Sequence, residues 1–371
     1  MREEGRYNEC ILHRGDKASN FIASYFRGRR VLMIAGAGFD PRACITAQAL
    51  AGAGADLHLQ LIREQRPGPT QELTEAAESN LAVFRSLTKH LKITEIDVFD
   101  NDGAIVGGRR AASAVSALGG DGYTDVLVDI SALSIGTSFP IVRLLVEQFA
   151  DDMLPTSLHV TVAHDPIIDA QILRTAGDRP GWVHGFSGTL GVDRDQSLAK
   201  LWMPQLAFGA RQEIGRIYEF VNPDDTCPIL PFPARDPRLA DKLSLEYREE
   251  LLTTWEVDVR NIVYADEDDP LDVYRTILRI DDLRQPVFAG IGGSVTIVSP
   301  TGSKLTALGA LMACIDRDLP VAYLEAENYE LDTAAPSWPA SATTDATPNL
   351  VHLWLEGDAY PKNRPALRRE D

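Results

Sequence analysis

The chain has 371 residues, 44% hydrophobic and 24% charged, the proportions of a folded globular protein with sequence enough for one large α/β domain or two ordinary ones. Its 54 acidic and 36 basic residues leave a formal net charge of −18, a field that repels nucleic acid and anionic membranes unless a local basic groove intervenes. The short basic runs at 27–30 and 368–369 read as solvated segments, so no extended nucleic-acid surface is expected.

The first ten residues, MREEGRYNEC, are charged where a signal peptide would be apolar, and no apolar run is long enough to span a membrane, so a cytoplasmic protein with no membrane partner is expected. Cys10, Cys44, Cys227 and Cys314 are widely spaced and show no paired pattern, which reads as reduced core thiols.

In chain order, short apolar and β-branched runs predict strands at 31–35, 57–62, 93–99, 125–130, 158–163, 261–264, 295–299 and 321–325. Helical patterns lie between them, at 41–51, 72–89, 139–150, 237–255 and 270–280. Apolar strands alternating with helices imply an α/β, Rossmann-like fold, a largely parallel sheet with helices on both faces. The alternation breaks over 176–236, where WVHGFSGTLG, LWMPQLAFG and DDTCPILPFPARDP are rich in Gly, Pro and aromatics. The expected organisation is a Rossmann-like half over 1–175, an irregular connecting or lid segment over 176–236 and a second α/β half over 237–331. Residues 332–371 add a low-complexity stretch expected to be mobile, a returning edge strand at NLVHLWL (349–355), and a tail. The chain is thus open to being two Rossmann-like halves.

In parallel sheets ligands bind beyond the strand C-termini, where strand order reverses. The exits read GAGFDPR (36–42), FDNDG (99–103), DISALSIG (129–136), HDP (164–166), DEDDP (266–270) and SPTGSK (299–304); five carry aspartate and the sixth carries lysine. At the first exit Gly36 and Gly38 permit a tight turn, Asp40 suits a helix cap and Pro41 the first helical position, so the turn needs no ligand to explain it. The dinucleotide fingerprint would place its third glycine where Pro41 and Arg42 stand. Asp40 at the positive end of a helix disfavours phosphate and suits a ribose hydroxyl or a cationic methyl donor, with Arg42 as an anion clamp if it swings in. At the end of the fourth strand Asp129 and Ser131 have two readings, recognition of a hydroxyl or amino group, in which they line the ligand crevice with Gly36, Gly38, Asp40 and Arg42, and stabilisation of a turn.

SPTGSK differs in kind: Thr301, Gly302 and Ser303 present small side chains and amides at a helix start with no carboxylate among them, and Lys304 adds a compact positive charge. Its natural guest is an anion; its bland alternative is a β-to-α turn with a serine cap. A strand, the turn Ser299-Pro300-Thr301-Gly302-Ser303-Lys304, the apolar helix LTALGALMA and a closing strand, about 30 residues over 294–326, resemble the ligand loop of CARF domains, the CRISPR-associated Rossmann-fold sensors. The resemblance implies a homodimeric sensor that binds a nucleotide-like anion, a cyclic oligonucleotide second messenger, and works with partner proteins of a prokaryotic antiviral defence or signalling system. Pro300 and Ser303 depart from the family's Thr-Gly-Gly-Thr-Lys pattern.

Other chemistries fit parts of the chain. GAGFDPR also looks like the Gly-x-Gly-x-Asp-x-Arg turn of some adenosylmethionine-dependent methyltransferases, with Glu64 in LIREQ as the one acid able to take the ribose at the end of the second strand. Exit aspartates could gather magnesium in a phosphoryl hydrolase if their loops converge, and a non-catalytic structural subunit would leave every exit without a guest. The seven histidines show no compact metal spacing, so no metal site is expected from them, and Ser187 and His184 in GFSGT and its flank make a poor nucleophile and base.

Overall fold

The computed structural model describes residues 5–116, 122–151, 157–177, 179–191, 198–332, 349–361, 364–365 and 367. They form two compact units. The first comprises Cys10–Ala176 with Ala326–Lys362, the second Met1–Glu9, Gly177–Glu325 and Asn363–Asp371. The low-complexity stretch over 333–348 and the basic pair at 368–369 lie outside the described residues.

The first unit is built on a seven-stranded sheet of β1 (Ile11–Arg14), β2 (Arg30–Gly36), β3 (Asp56–Gln65), β4 (His90–Asp97), β5 (Asp125–Asp129), β6 (Ser157–His164) and β16 (Asn349–Gly357), in the order β1-β16-β6-β5-β2-β3-β4. Strands β2 to β6 are mutually parallel and β16 runs antiparallel to β6. Between them run α2 (Ile45–Ala53), α3 (Gln71–Leu87), α4 (Gly107–Ser116) and α5 (Ile135–Ala150), with α1 (Asp16–Tyr25) ahead of β2. After β6, α6 (Pro166–Gln171) leads to an antiparallel ribbon of β7 (Ile172–Ala176) and β15 (Ala326–Leu331). β2 and β5 are buried along nearly their whole length because helices cover both faces, which is why they read as continuous apolar runs. The helix α3 instead buries a stripe, Leu73, Leu81 and Phe84, and is started by Thr70, whose hydroxyl accepts the Leu73 amide.

The second unit contains β8 (Gly181–Trp182), β9 (Ala199–Pro204), β10 (Asp225–Thr226), β11 (Ile229–Pro231), β12 (Val263–Ala265), β13 (Ser294–Ser299) and β14 (Ala322–Tyr323). Its helices are α7 (Arg211–Val221), α8 (Leu239–Glu246), α9 (Pro270–Phe288) and α10 (Lys304–Arg317). β12 pairs parallel with β11, Ile229 of β11 bridges Gln205 beyond β9, β9 pairs parallel with β13, and Val298 of β13 bridges Val321 ahead of β14. β14 is flanked by antiparallel β8. Followed through those single bridges, and with β10, which pairs parallel with β9, and β11 taken as one interrupted strand, the second unit repeats the first unit's order 3-2-1-4-5 and then an antiparallel strand, in keeping with two Rossmann-like halves.

Three boundaries differ from the sequence reading. The segment 176–236 is no mere connection: it holds β9, the first parallel strand of the second unit, whose Trp202 and Met203 are fully buried. The run over 349–355 is not at the sheet edge, because β1 pairs with it antiparallel on its far side. The pattern over 237–255 is broken into α8 and a π turn at Glu250–Thr254. The four cysteines are buried thiols without disulfides, as expected; burial pushes Cys44 and Cys227 up to about 12, so neither is a reactive thiolate.

Helices α9 and α10 meet at Gly309, where an added Cβ would stand 2.2 Å from the Pro270 carbonyl oxygen and 2.7 Å from Val273 Cβ. Backbone on one side and a β-branched side chain on the other leave no room to yield. Gly309→Ala is expected to destabilise the second unit by about 1–3 kcal/mol, read as a lower urea midpoint at unchanged slope.

Candidate functional site

The residues singled out at the strand exits fall into two groups in different units. Gly36, Gly38, Asp40, Arg42, Asp129 and Ser131 belong to the first; Ser299, Thr301, Gly302, Ser303 and Lys304 belong to the second. Each unit has its own reversal of strand order, between β2 and β5 in the first and between β9 and β13 in the second.

The acidic exits resolve into turn chemistry. Asp40 accepts the amide of Arg42 at 2.9 Å, Asp100 that of Asp102 at 3.0 Å, Asp129 that of Ser131 at 2.9 Å and Asp165 that of Ile167 at 2.9 Å. Asp266 takes the Asp268 amide at 2.8 Å and Asp269 the Leu271 amide at 2.9 Å. All five aspartate-bearing exits thus close on themselves by the same two-residue reach, as short acidic side chains do at turns and helix starts.

In the first unit the crevice residues are further committed. Arg42, 3% exposed, grips Asp40 Oδ2 and Asp169 Oδ1, each at 2.7 Å, and although burial opposes its charge these two carboxylates hold its pKa above the ordinary value. It is a strut within the unit rather than a clamp free to swing. An added Cβ on Gly36 would stand 2.6 Å from the Ala132 carbonyl oxygen, so this glycine is required by the loop after β5 crossing the end of β2. Gly38 is not crowded in this way; its carbonyl accepts from the Asn80 side-chain Nδ2 at 2.8 Å. Asp129 is buried, which pushes its carboxyl up against the pull of hydrogen bonds from Ser131, Thr46 and Thr161; Ser131 Oγ accepts the Ala163 amide at 2.8 Å. Glu64, the candidate ribose acid, accepts the Ser134 amide at 2.9 Å and pairs with Arg66 at 2.8 Å. Burial would raise its pKa, but Arg66 and the amide carry it below the carboxylate norm. Because Ser134 caps α5, the start of that helix already holds a carboxylate from its own chain.

The second unit differs at the equivalent place. Ser303 caps α10 with φ −64° and ψ 160°, matching Ser134 at −67° and 161°, and its hydroxyl accepts the Thr306 amide at 3.2 Å. Where α5 opens with Ile135, α10 opens with Lys304, which is half-buried like Gly302 and Ser303. Ser299 and Thr301 are fully buried: Ser299 Oγ accepts from Trp202 Nε1 at 2.9 Å, and the Thr301 hydroxyl donates to the Gln205 carbonyl, tying the exit of β13 to that of β9. These two build the turn, while Gly302, Ser303 and Lys304 are half-buried.

Gln205 is a residue the sequence did not flag. It is 2% exposed, its Nε2 donates to the Thr306 carbonyl at 2.9 Å, and its Oε1 has no hydrogen-bond partner among the described residues. An added Cβ on Gly302 would lie 3.3 Å from that oxygen, which therefore looks onto the turn. An orphan acceptor buried at the start of a helix offers a place for a donor, a hydroxyl or amino group, beside an anion. Elsewhere in this unit Ser187 is half-buried and His184 exposed, in the turn that follows the two-residue strand β8.

No family model matches this sequence, and no curated protein does. Among solved structures it is similar to an uncharacterized protein from Listeria monocytogenes serotype 4b, at 14% identity over 45% of this chain and 60% of that one, with a TM-score of 0.20. At that score the likeness informs neither fold nor function. The α/β fold, with no described helix long and apolar enough to cross a membrane, is what the coordinates themselves establish.

Proposed function

We propose that the chain is a Rossmann-like receptor for a nucleotide-like anion, a nucleotide or cyclic oligonucleotide messenger, that seats its phosphate at the start of α10. In this reading it serves a prokaryotic antiviral defence or signalling system as a sensor or accessory protein, working as a homodimer with partner proteins. The observation that carries the reading is the contrast between the two fourth-strand exits: the first unit fills its helix start with Glu64, whereas the second places Lys304 there, beside small residues at a strand-order reversal. Gln205 Oε1 adds an acceptor suited to a ribose hydroxyl or a base amino group. The methyltransferase and hydrolase readings draw on Asp40, Glu64 and Asp129, whose carboxylates already serve internal bonds.

Isothermal titration with cyclic oligonucleotides, ATP, NAD and adenosylmethionine, each with and without magnesium, tests it. An oligonucleotide or nucleotide is expected to bind, and Lys304→Ala to weaken that binding about ten- to hundredfold, the worth of one charge-assisted contact, while Asp40→Asn leaves it unchanged. Binding of adenosylmethionine alone, or affinity indifferent to Lys304, would overturn the reading.

A further inference from the structure

At the opposite edge of the first unit's sheet, where its parallel strands begin, three metal-capable side chains meet. Asp56 and His58 are two residues apart on β3 and so share a face, and His58 sits directly opposite His90 in the parallel register of β3 and β4. The imidazoles of His58 and His90 stack with ring centroids 4.2 Å apart and planes 11° apart. One ligand atom from each of Asp56, His58 and His90 lies within 4.8 Å of the other two. The acid and the imidazole on β3 are already closer, with Asp56 Oδ1 3.4 Å from His58 Nε2. Two ligands each about 2.1 Å from a tetrahedral ion stand about 3.4 Å apart, so this pair is at coordination spacing before any ion arrives. His90 and Asp56 are exposed, and rotation of their side chains is enough to bring in the third ligand.

Two neighbours sharpen the case. Tyr123 Oη lies 3.3 Å from His58 Nδ1, and Arg30 Nε lies 3.5 Å from His58 Nε2 and 3.6 Å from Asp56 Oδ2. His58 Nε2 thus lies between a donor, the Arg30 N–H, and an acceptor, the Asp56 carboxylate, and with Nε2 offering its lone pair the Nδ1–H goes to the tyrosine oxygen. That arrangement is the tautomer of a metal-bound histidine whose far nitrogen is held by an outer partner. The cluster therefore already faces a cation, the guanidinium of Arg30. Arg30 is 45% exposed on its side chain, lies over the Tyr123 ring at 5.1 Å and is long enough to move aside.

We infer that Asp56, His58 and His90 form a binding site for a first-row divalent cation of the zinc class, which displaces the Arg30 guanidinium and leaves at least one coordination position to water. Two imidazoles and a carboxylate suit Zn²⁺ and its cobalt surrogate better than the hard cations, which take oxygen ligands. The spacing rules for metal motifs pass over this set because its third ligand comes from the next strand, 32 residues on in the chain.

The test is titration of the full-length chain, freed of any purification tag, with CoCl₂ followed by its visible absorption, and with ZnCl₂ by equilibrium dialysis. One equivalent of Co²⁺ is expected to give a d–d spectrum that Zn²⁺ abolishes. His58→Ala and His90→Asn are expected to lose it, Tyr123→Phe to weaken Zn²⁺ binding about tenfold, and Arg30→Gln to tighten it. His90 is exposed, so His90→Asn retains the fold, with circular dichroism as the check. No stoichiometric binding by the wild-type chain, or binding as tight in His90→Asn as in wild type, would sink the inference.

Discussion

Arg42→Ala is expected to lower the thermal midpoint of the first unit by on the order of 10 °C, the equivalent of about 3–5 kcal/mol in a unit of about 200 residues. The arginine sits in the GAGFDPR turn, where it could have been a clamp for an incoming anion. Its guanidinium is instead bonded through three nitrogens, Nε and Nη2 to the two oxygens of Asp40 and Nη1 to Asp169. Removing it leaves the Asp40 carboxylate buried beside a cavity with no counter-charge, and that orphaned charge, more than the lost pair itself, carries the cost. Arg42→Lys should recover only part of the loss, since an ammonium cannot reproduce the fork. A midpoint within about 2 °C of wild type would show that the strut is dispensable, and altered ligand affinity at that unchanged midpoint would restore the clamp.

The other large effect is acid sensitivity in the first unit. His13 of β1, His352 of β16 and His159 of β6 form a line that ends on Asp125 of β5. His13 Nδ1 lies 3.2 Å from His352 Nδ1, His352 Nε2 lies 3.0 Å from His159 Nδ1, and His159 Nε2 lies 3.2 Å from Asp125 Oδ1. One assignment satisfies every contact: each imidazole is neutral, donating toward Asp125 and accepting from behind. Burial pushes His159 and His352 below the ordinary histidine value, and mutual repulsion with the other histidines adds to the effect at His352. The groups facing the line are Lys17 and Tyr25 of α1, Arg29, Asp125 and Asp358.

The sign follows from which state takes up the proton. As pH falls through 6.5, the unfolded chain protonates these histidines and the folded one does not. Stability is therefore complete above about pH 7 and erodes toward pH 5, by about 1.4 kcal/mol per pH unit for each such histidine. Asp125 acts in a separate, lower window. Burial would raise its carboxyl, but His159, Arg29 and Thr124 hold it at about 2, so its contribution is lost only as pH falls from about 3.8 toward that value. Urea denaturation across this range should show His352→Phe flattening the slope near pH 6 by about one proton's worth. A wild-type chain whose stability is level from pH 7 to pH 5 would contradict the neutral line.

The parallel strands of the first unit are legible in the sequence because burial on both faces writes them as apolar runs, as in VLMIA and VLV. The acidic exits were visible too, yet their meaning was not: an aspartate that closes a turn and one that holds magnesium look identical until the amide two residues on is seen to be its partner. Strand β9 is obscured in the sequence because it opens on Ala-Lys, ends in Pro204 and is embedded among glycine, proline and aromatic residues. The run at 349–355 reads as a strand but not as an inner one, since nothing local to it says that β1, more than 300 residues earlier, pairs along its outer side. Gln205, the histidine line and the Asp56 cluster share one reason for being hidden: sheet order and register assemble each from segments far apart in the chain, and a motif written in sequence spacing cannot express that.

The serines that begin α5 and α10 have nearly the same backbone angles but opposite neighbours, an acid at one and a lysine at the other. On the proposed reading, an anion would load one framework and not its counterpart, so occupancy would be lopsided by construction.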